Sequence, residues 1–199
     1  MKAWLYDWGG ANVALFHALN AHHTPWLDEL MLALTWAGAH ERFAIYLGLF
    51  AVLAWWHYAR NPASARTRAL VLALVTFSCA YLLDGMLVIG LKAALDLPRP
   101  PASLLADGLV VVGTPEFRHS FPSGHASFAG LLAAVFWPLT GIVLRCVLVV
   151  FVIGVCVSRP YLGFHFPADV LFGSLLAVLL VIGLRITFAT WLPRRTVDG

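Results

Sequence analysis

Three short clusters in this chain carry side chains able to hold and move a phosphate. The first is Lys92, Arg99 and Pro100. The second is Pro122-Ser123-Gly124-His125. The third is Ser158-Arg159, followed by His165 and Asp169. Arginine presents a planar fork of donors that matches phosphate oxygens, and lysine presents a point charge. Arg99 lies between Pro98 and Pro100, whose rings fix the backbone on either side. Ser123 is a favoured residue type for a helix N-cap, and Gly124 lets backbone approach a ligand closely. Unpaired N–H groups at a helix start attract an anion, so a histidine there is placed to exchange protons with a bound phosphate. His165 and Asp169 are four residues apart and share a face if a helix already includes His165. Pro167 suits the first turn of that helix. Asp169 would then hold one ring nitrogen of His165 and leave the other free to attack. Arg159 adds a second clamp. The rival chemistry is a zinc site made of His125, His165 and Asp169. Lys92, Arg99 and Arg159 would repel such a cation and attract an anion, which favours phosphate.

The elements that position these clusters are apolar. The chain has 199 residues, enough for one domain. Its hydrophobic content of 61% and mean hydropathy of +0.83 lie far above the roughly 45–50% apolar content of soluble domains. Only 12% of residues are charged, about half the usual share. The class is a polytopic membrane protein. The net charge of +3 is small and scattered, with no basic run of the kind that binds nucleic acid. Cys79, Cys146 and Cys156 all lie in apolar runs without a C-x-x-C pair, so they read as small buried or lipid-facing residues. No cleavable signal peptide is expected, because Met1 to Asn20 lack a basic start followed by an apolar core.

The expected fold is all-α: a membrane helix bundle of about five transmembrane helices preceded by interfacial helices. It forms a single domain over 1–199, with 1–40 interfacial and 42–191 the transmembrane core. Residues 3–20 are too polar to span, but Val13, Phe16 and Asn20 follow helical spacing. Residues 26–39 make a second short helix carrying Asp28 and Glu29. Spans are expected at 42–58, 69–91, 123–137, 142–157 and 167–191, with Ser158 to Phe166 a short connection. Five spans put Arg60, Arg66, Arg68, Arg145, Arg185, Arg194 and Arg195 on one side, with Asp198 its only acid. The opposite side receives Asp28, Glu29, Glu41, Asp96, Asp107, Glu116 and Asp169. The arginine-rich side is therefore expected to be cytoplasmic, and Trp55, Trp56, Trp137 and Trp191 fall near it as an aromatic belt. All three clusters fall on the other, extracytoplasmic side of the plasma membrane.

Read together, the clusters spell K-x6-R-P, P-S-G-H and S-R-x5-H-x3-D. This resembles the tripartite signature of the type-2 phosphatidic acid phosphatase superfamily, which also includes vanadium haloperoxidases and bacterial acid phosphatases. Every motif position is matched, and the surrounding apolar helices are similar to its membrane branch. The resemblance implies that His165 is the nucleophile forming a phosphohistidine, that Asp169 orients it, and that His125 protonates the leaving oxygen. It implies that Lys92, Arg99, Arg159, Ser123 and the Gly124 amide hold the phosphoryl oxygens. It implies no metal and no cofactor.

The layout also resembles small bacterial undecaprenyl-diphosphate phosphatases, although Gly124 stands where some dedicated members have aspartate. The first expectation is therefore hydrolysis of a lipid phosphate, with undecaprenyl diphosphate leading. Its partners are the lipid substrate and the bilayer. The second is a phosphatidylglycerol-phosphate or lipid A phosphatase or phosphotransferase. The third is an anion-binding membrane transporter, whose polar residues should line a path through the bilayer; here only Asp84 lies well inside. Asp84 is either a partner for a nearby Lys or Arg or a functional group. Arg118 and His119 flank the second cluster and are candidates for substrate contact. Leu104, Leu105, Leu109 and Val110 to Val112 form either a packed loop or a lipid-facing lid. His17, His22 and His23 read as solvated interface residues.

Overall fold

The computed structural model describes residues 6–104 and 108–191. Trp4, Leu5, Leu105, Asp107, Arg194, Arg195 and Asp198, and the side chain of Trp191, lie outside the described residues. Eight α-helices follow in order: α1 (Ala11–Asn20), α2 (Pro25–Ala37), α3 (Phe43–Arg60), α4 (Ala65–Leu95), α5 (Pro100–Leu104), α6 (Gly124–Phe136), α7 (Ile142–Tyr161) and α8 (Pro167–Trp191). There is no strand among the described residues. The chain is an all-α membrane helix bundle.

Among the described residues, three helices are long and apolar enough to cross a bilayer: α4, α7 and α8. The other two expected spans are built differently. α3 has 18 residues, and its end carries Trp55, Trp56, His57 and Tyr58, which lower its hydropathy. α6 has 13 residues, extended by a 3-10 turn at Trp137–Leu139. It is the central helix and packs against α8, α7 and α4. Nearly all of its residues from Ala126 to Phe136 are buried in protein, so it sees little lipid.

Close approach of α6 and α8 depends on two glycines. A Cβ on Gly130 would stand 2.7 Å from the carbonyl oxygen of Ser174. One on Gly173 would meet the Ser123 carbonyl oxygen. Small residues at such crossings let backbones touch, which is how membrane helices gain packing energy without a hydrophobic drive between them. Around α6 lies an aromatic core in which Phe50 stacks on Phe136 at 3.7 Å and Phe77 meets Phe136 at 5.8 Å.

The polar end of the bundle is closed by α1. Asn12, Phe16 and Asn20 form its buried face at four-residue spacing, with Val13 beside them. Asn20 donates to the carbonyls of Val110 at 2.8 Å and Tyr161 at 2.7 Å, and its Oδ1 accepts from the Val110 amide. Asn12 accepts from the Ala168 amide at 2.9 Å. One helix thus pins the 108–112 loop and the start of α8. Leu104 and Leu109 pack with Phe16 and Phe166, whereas Val110 is exposed. His23 bonds Asp28 at 2.8 Å and stacks on Tyr161.

One boundary moves past a cluster. α7 continues through Ser158, Arg159 and Pro160 to Tyr161, so Arg159 is carried by a helix and not by a connection. α8 begins at Pro167, as expected, so no helix includes His165 and the condition for a face shared with Asp169 is not met.

Candidate functional site

The three clusters meet around one cavity of about 300 Å³. Lys92, Arg99, Arg159, Gly124, His125 and His165 all line it. α4 delivers Lys92 at its C-terminal end, α6 delivers His125 in its first turn, and α7 delivers Arg159 in its last. Arg99 and His165 come from the loops between.

His165 is buried and sits just before α8. Its Nδ1 lies 3.3 Å from Oδ2 of Asp169. The pair meets without a shared helical face because the Asp169 carboxylate folds back over the helix start. Oδ2 accepts from the Phe166 amide at 2.8 Å and from Ser120 Oγ at 2.5 Å. Oδ1 accepts from the Tyr6 hydroxyl at 2.7 Å. Four donors around one buried carboxylate fix its position. The other ring nitrogen, Nε2, lies 3.4 Å from Nη1 of Arg99. Burial, reinforced by Arg99, Arg159 and Lys92, holds the His165 pKa well below the ordinary imidazole value. The ring is neutral at neutral pH.

Arg99 is buried and held from several directions. Nε donates to the Arg118 carbonyl at 3.0 Å, Nη1 to the Phe164 carbonyl at 3.3 Å, and Nη2 pairs with Glu116 at 2.7 Å. Arg159 donates to Thr35 Oγ1 at 2.6 Å and lies 4.6 Å over the Phe164 ring. Its Nε is buried without a hydrogen-bond partner. Lys92 Nζ donates to the His119 carbonyl at 2.7 Å. Three cations therefore face one small volume with donors to spare.

Ser123 stands at the N-cap position of α6, yet its hydroxyl makes no cap bond and is buried without a partner. Its amide is held by the Asp169 carbonyl at 3.0 Å, which ties the second cluster to the third. Ser158 spends its hydroxyl on the Val155 carbonyl of its own helix at 2.8 Å. Arg118 and His119 do not line the cavity. Both pair with Asp96 at the end of α4 and fasten the 115–120 loop there.

Sequence reasoning missed several neighbours. Tyr6 and Ser120 complete the shell of Asp169, and His40, Glu41 and Glu116 line the cavity. Ser120 lies in the polar run before the second cluster and was within reach of a closer reading. Tyr6 is 163 positions from its partner, and no local pattern reports that contact. Asp84 pairs with Ser127 and His40, neither of them a lysine or arginine. Among the described residues no group of three or more His, Cys, Asp or Glu side chains is arranged to hold a metal ion.

Residues 69–193 match the family model described as the PAP2 superfamily. Among curated proteins the chain is similar to phosphatidylglycerophosphatase B of Escherichia coli K12, with 36% identity over 84 residues. The protein of that name in Shigella flexneri matches equally. The match covers 40% of this chain and 31% of that relative, so the chain spans about a third of the length of the curated relatives it matches. Among solved structures, LpxE of Aquifex aeolicus superposes with a TM-score of 0.69 and 25% identity, covering 86% of this chain and 93% of that one. A transmembrane PAP2-type phosphatidylglycerolphosphate phosphatase from Bacillus subtilis gives 0.68 and 24%, covering 94% and 89%; at that identity it speaks for the fold alone.

Proposed function

The chain belongs to the PAP2 superfamily, and from that premise we propose that it hydrolyses a lipid phosphate at the extracytoplasmic face of the plasma membrane, through a phosphohistidine and without a metal. The observation that carries this reading is the convergence of Lys92, Arg99, Arg159, His125 and His165 on one cavity, with His165 braced by Asp169. The arginine-rich loops at the other end of the bundle support the sidedness.

In the proposed reaction, neutral His165 attacks phosphorus through Nε2. The N–P bond forms as the P–O ester bond breaks, and His125 gives its proton to the departing alkoxide. Asp169 holds the Nδ1 proton and stabilises the positive charge that grows on the ring. Arg99, Arg159, Lys92, the Ser123 hydroxyl and the Gly124 amide hold the phosphoryl oxygens; such preorganised donors stabilise charge in the transition state. Water then attacks phosphorus, His125 takes its proton, and the N–P bond breaks to free phosphate and restore both histidines.

For substrate, the names of the curated relatives favour a phosphate monoester such as phosphatidylglycerol phosphate. Undecaprenyl diphosphate, suggested by the motif layout, is the second candidate, and a lipid A phosphate the third. The test is phosphate release by the purified protein from these three lipids, with a chelator present and His165→Ala as control. A radiolabelled terminal phosphate trapped on wild type but not on His165→Ala is the expected result. Undiminished release by His165→Ala would remove the nucleophile from this scheme.

A further inference from the structure

Asp84 has no part in the phosphate chemistry above, yet it is fully buried and both its oxygens are engaged. Oδ1 accepts from Ser127 Oγ at 2.5 Å, and Oδ2 lies 3.4 Å from Nε2 of His40. His40 comes from the turn between α2 and α3, stacks on Tyr81 at 4.4 Å, and packs against Phe128 at 5.3 Å. It lines the same cavity as the catalytic candidates, beside Glu41. A buried acid thus holds a third imidazole, outside the three sequence clusters, in the wall of the site.

The height of that imidazole is set by helix geometry. Gly124 faces Val88, with 3.8 Å between its Cβ position and Val88 Cγ1. His125 therefore lies near the level of Val88. Asp84 is one turn of α4 further toward the middle of the bundle, about 6 Å. Measured from a phosphorus between the two cluster histidines, that is the reach of the first few atoms beyond the ester oxygen. His40 is therefore positioned against the leaving group, not against the phosphoryl oxygens.

The pair also fixes what His40 can recognise. A carboxylate only accepts, so the tautomer that suits this contact carries its proton on the Nε2 facing Asp84 and keeps Nδ1 as an acceptor. The Glu41 carboxylate beside it is another acceptor. Two acceptors at that height suit a leaving group with a hydroxyl close to its ester oxygen. A polyprenyl monophosphate offers only hydrocarbon there, and a polyprenyl diphosphate offers the oxygens of its inner phosphate, which accept and do not donate; either would leave the imidazole unpaired, which is costly in a dry site. We propose that the Asp84–His40 pair selects lipid phosphates whose leaving group is a polyol, such as glycerol, over those whose leaving group has no hydroxyl near the ester oxygen. This rests on the phosphatase reading above and narrows its substrate class.

The test removes the hydroxyl from the substrate and the acceptor from the protein in one cycle. The substrates are dioctanoyl phosphatidylglycerol phosphate and its analogue with propane-1,3-diol in place of the headgroup glycerol. Wild type is expected to prefer the hydroxylated substrate about tenfold in kcat/KM, mostly through KM, as one hydrogen bond allows. His40→Leu should bring that ratio close to one, and His40→Gln, whose amide oxygen accepts, should restore part of it. Asp84→Asn should also flatten the ratio, because an amide donor facing Nε2 moves the ring proton to Nδ1. If Asp84→Asn does not fold, the two His40 variants decide. An unchanged ratio in His40→Leu, or no preference in wild type, would overturn the selection role while leaving phosphate release as evidence for the phosphatase. Release from neither substrate would sink both.

Discussion

Two cavities of similar size lie at opposite ends of this bundle, and they share almost nothing chemically. The one at the Lys92 end, about 300 Å³, is walled by three cations, two acids and three imidazoles. The one at the Arg66 end, about 340 Å³, is walled by Tyr46, Phe50, Leu70, Phe136, Val147 and other apolar side chains, with Arg66 and Thr140 its polar members. The same helices, α4, α6 and α7, build both. The difference shows how the work is divided along each helix. At one end the bundle gains energy from aromatic and aliphatic packing. At the other it uses that rigidity to hold like charges together in a buried space, where they repel one another until an anion arrives. Volume alone does not identify the site; the charge in its wall does.

The comparison can be broken from either end. The largest expected effect is His165→Ala, which should lower kcat by about 10⁴-fold or more while leaving the thermal midpoint near that of wild type. Single-turnover phosphate release and a melting curve on the same sample check it. Arg159→Ala should follow, at about 10²–10³-fold in kcat, the usual scale for removing one preorganised donor. Among the described residues no salt bridge holds Arg159; if activity survives, the cluster of cations is structural.

At the apolar end the pattern should reverse. Phe136→Ala deletes a buried ring stacked on Phe50. It should cost about 3–5 kcal/mol of stability, with kcat of the folded fraction within about twofold, read by denaturant titration and active-site-normalised rates. A large loss of kcat at unchanged stability would mean that the two ends are coupled. Tyr6→Phe is a smaller change, removing one hydrogen bond to Asp169. It should lower kcat about three- to tenfold with KM unchanged.

The pH profile is the finest test. His165 must be neutral to attack, and burial with Arg99, Arg159 and Lys92 holds its pKa down. A lowered pKa means that protonation switches the nucleophile off only at a pH below that of free imidazole, about 6.5. With the substrate's own phosphate ionisation divided out, kcat/KM should stay level down through pH 6.5 and fall only below it. An acid limb centred at or above 6.5 would place His165 in a wetter setting than the one described.

The sequence alone was enough for the chain's class and for which residue types hold phosphate. Hydrophobic runs long enough to span, and three motifs at fixed spacing, are local properties that survive in one dimension. They picked out Lys92, Arg99, Ser123, Gly124, His125, Arg159, His165 and Asp169 as candidates from little more than their neighbours. What folding alone decided was how those groups are held. The Asp169 carboxylate turns back onto Phe166 and is gripped by Tyr6 and Ser120. Arg159 rides the last turn of a helix that was expected to end before it. Asp84, read as a partner for a lysine or arginine or as a functional group, holds Ser127 and His40 and no lysine or arginine. The reason is physical. Periodicity and motif spacing record what a residue needs from the chain beside it, whereas a buried polar atom must find a partner wherever packing brings one, and only the packed bundle specifies that partner.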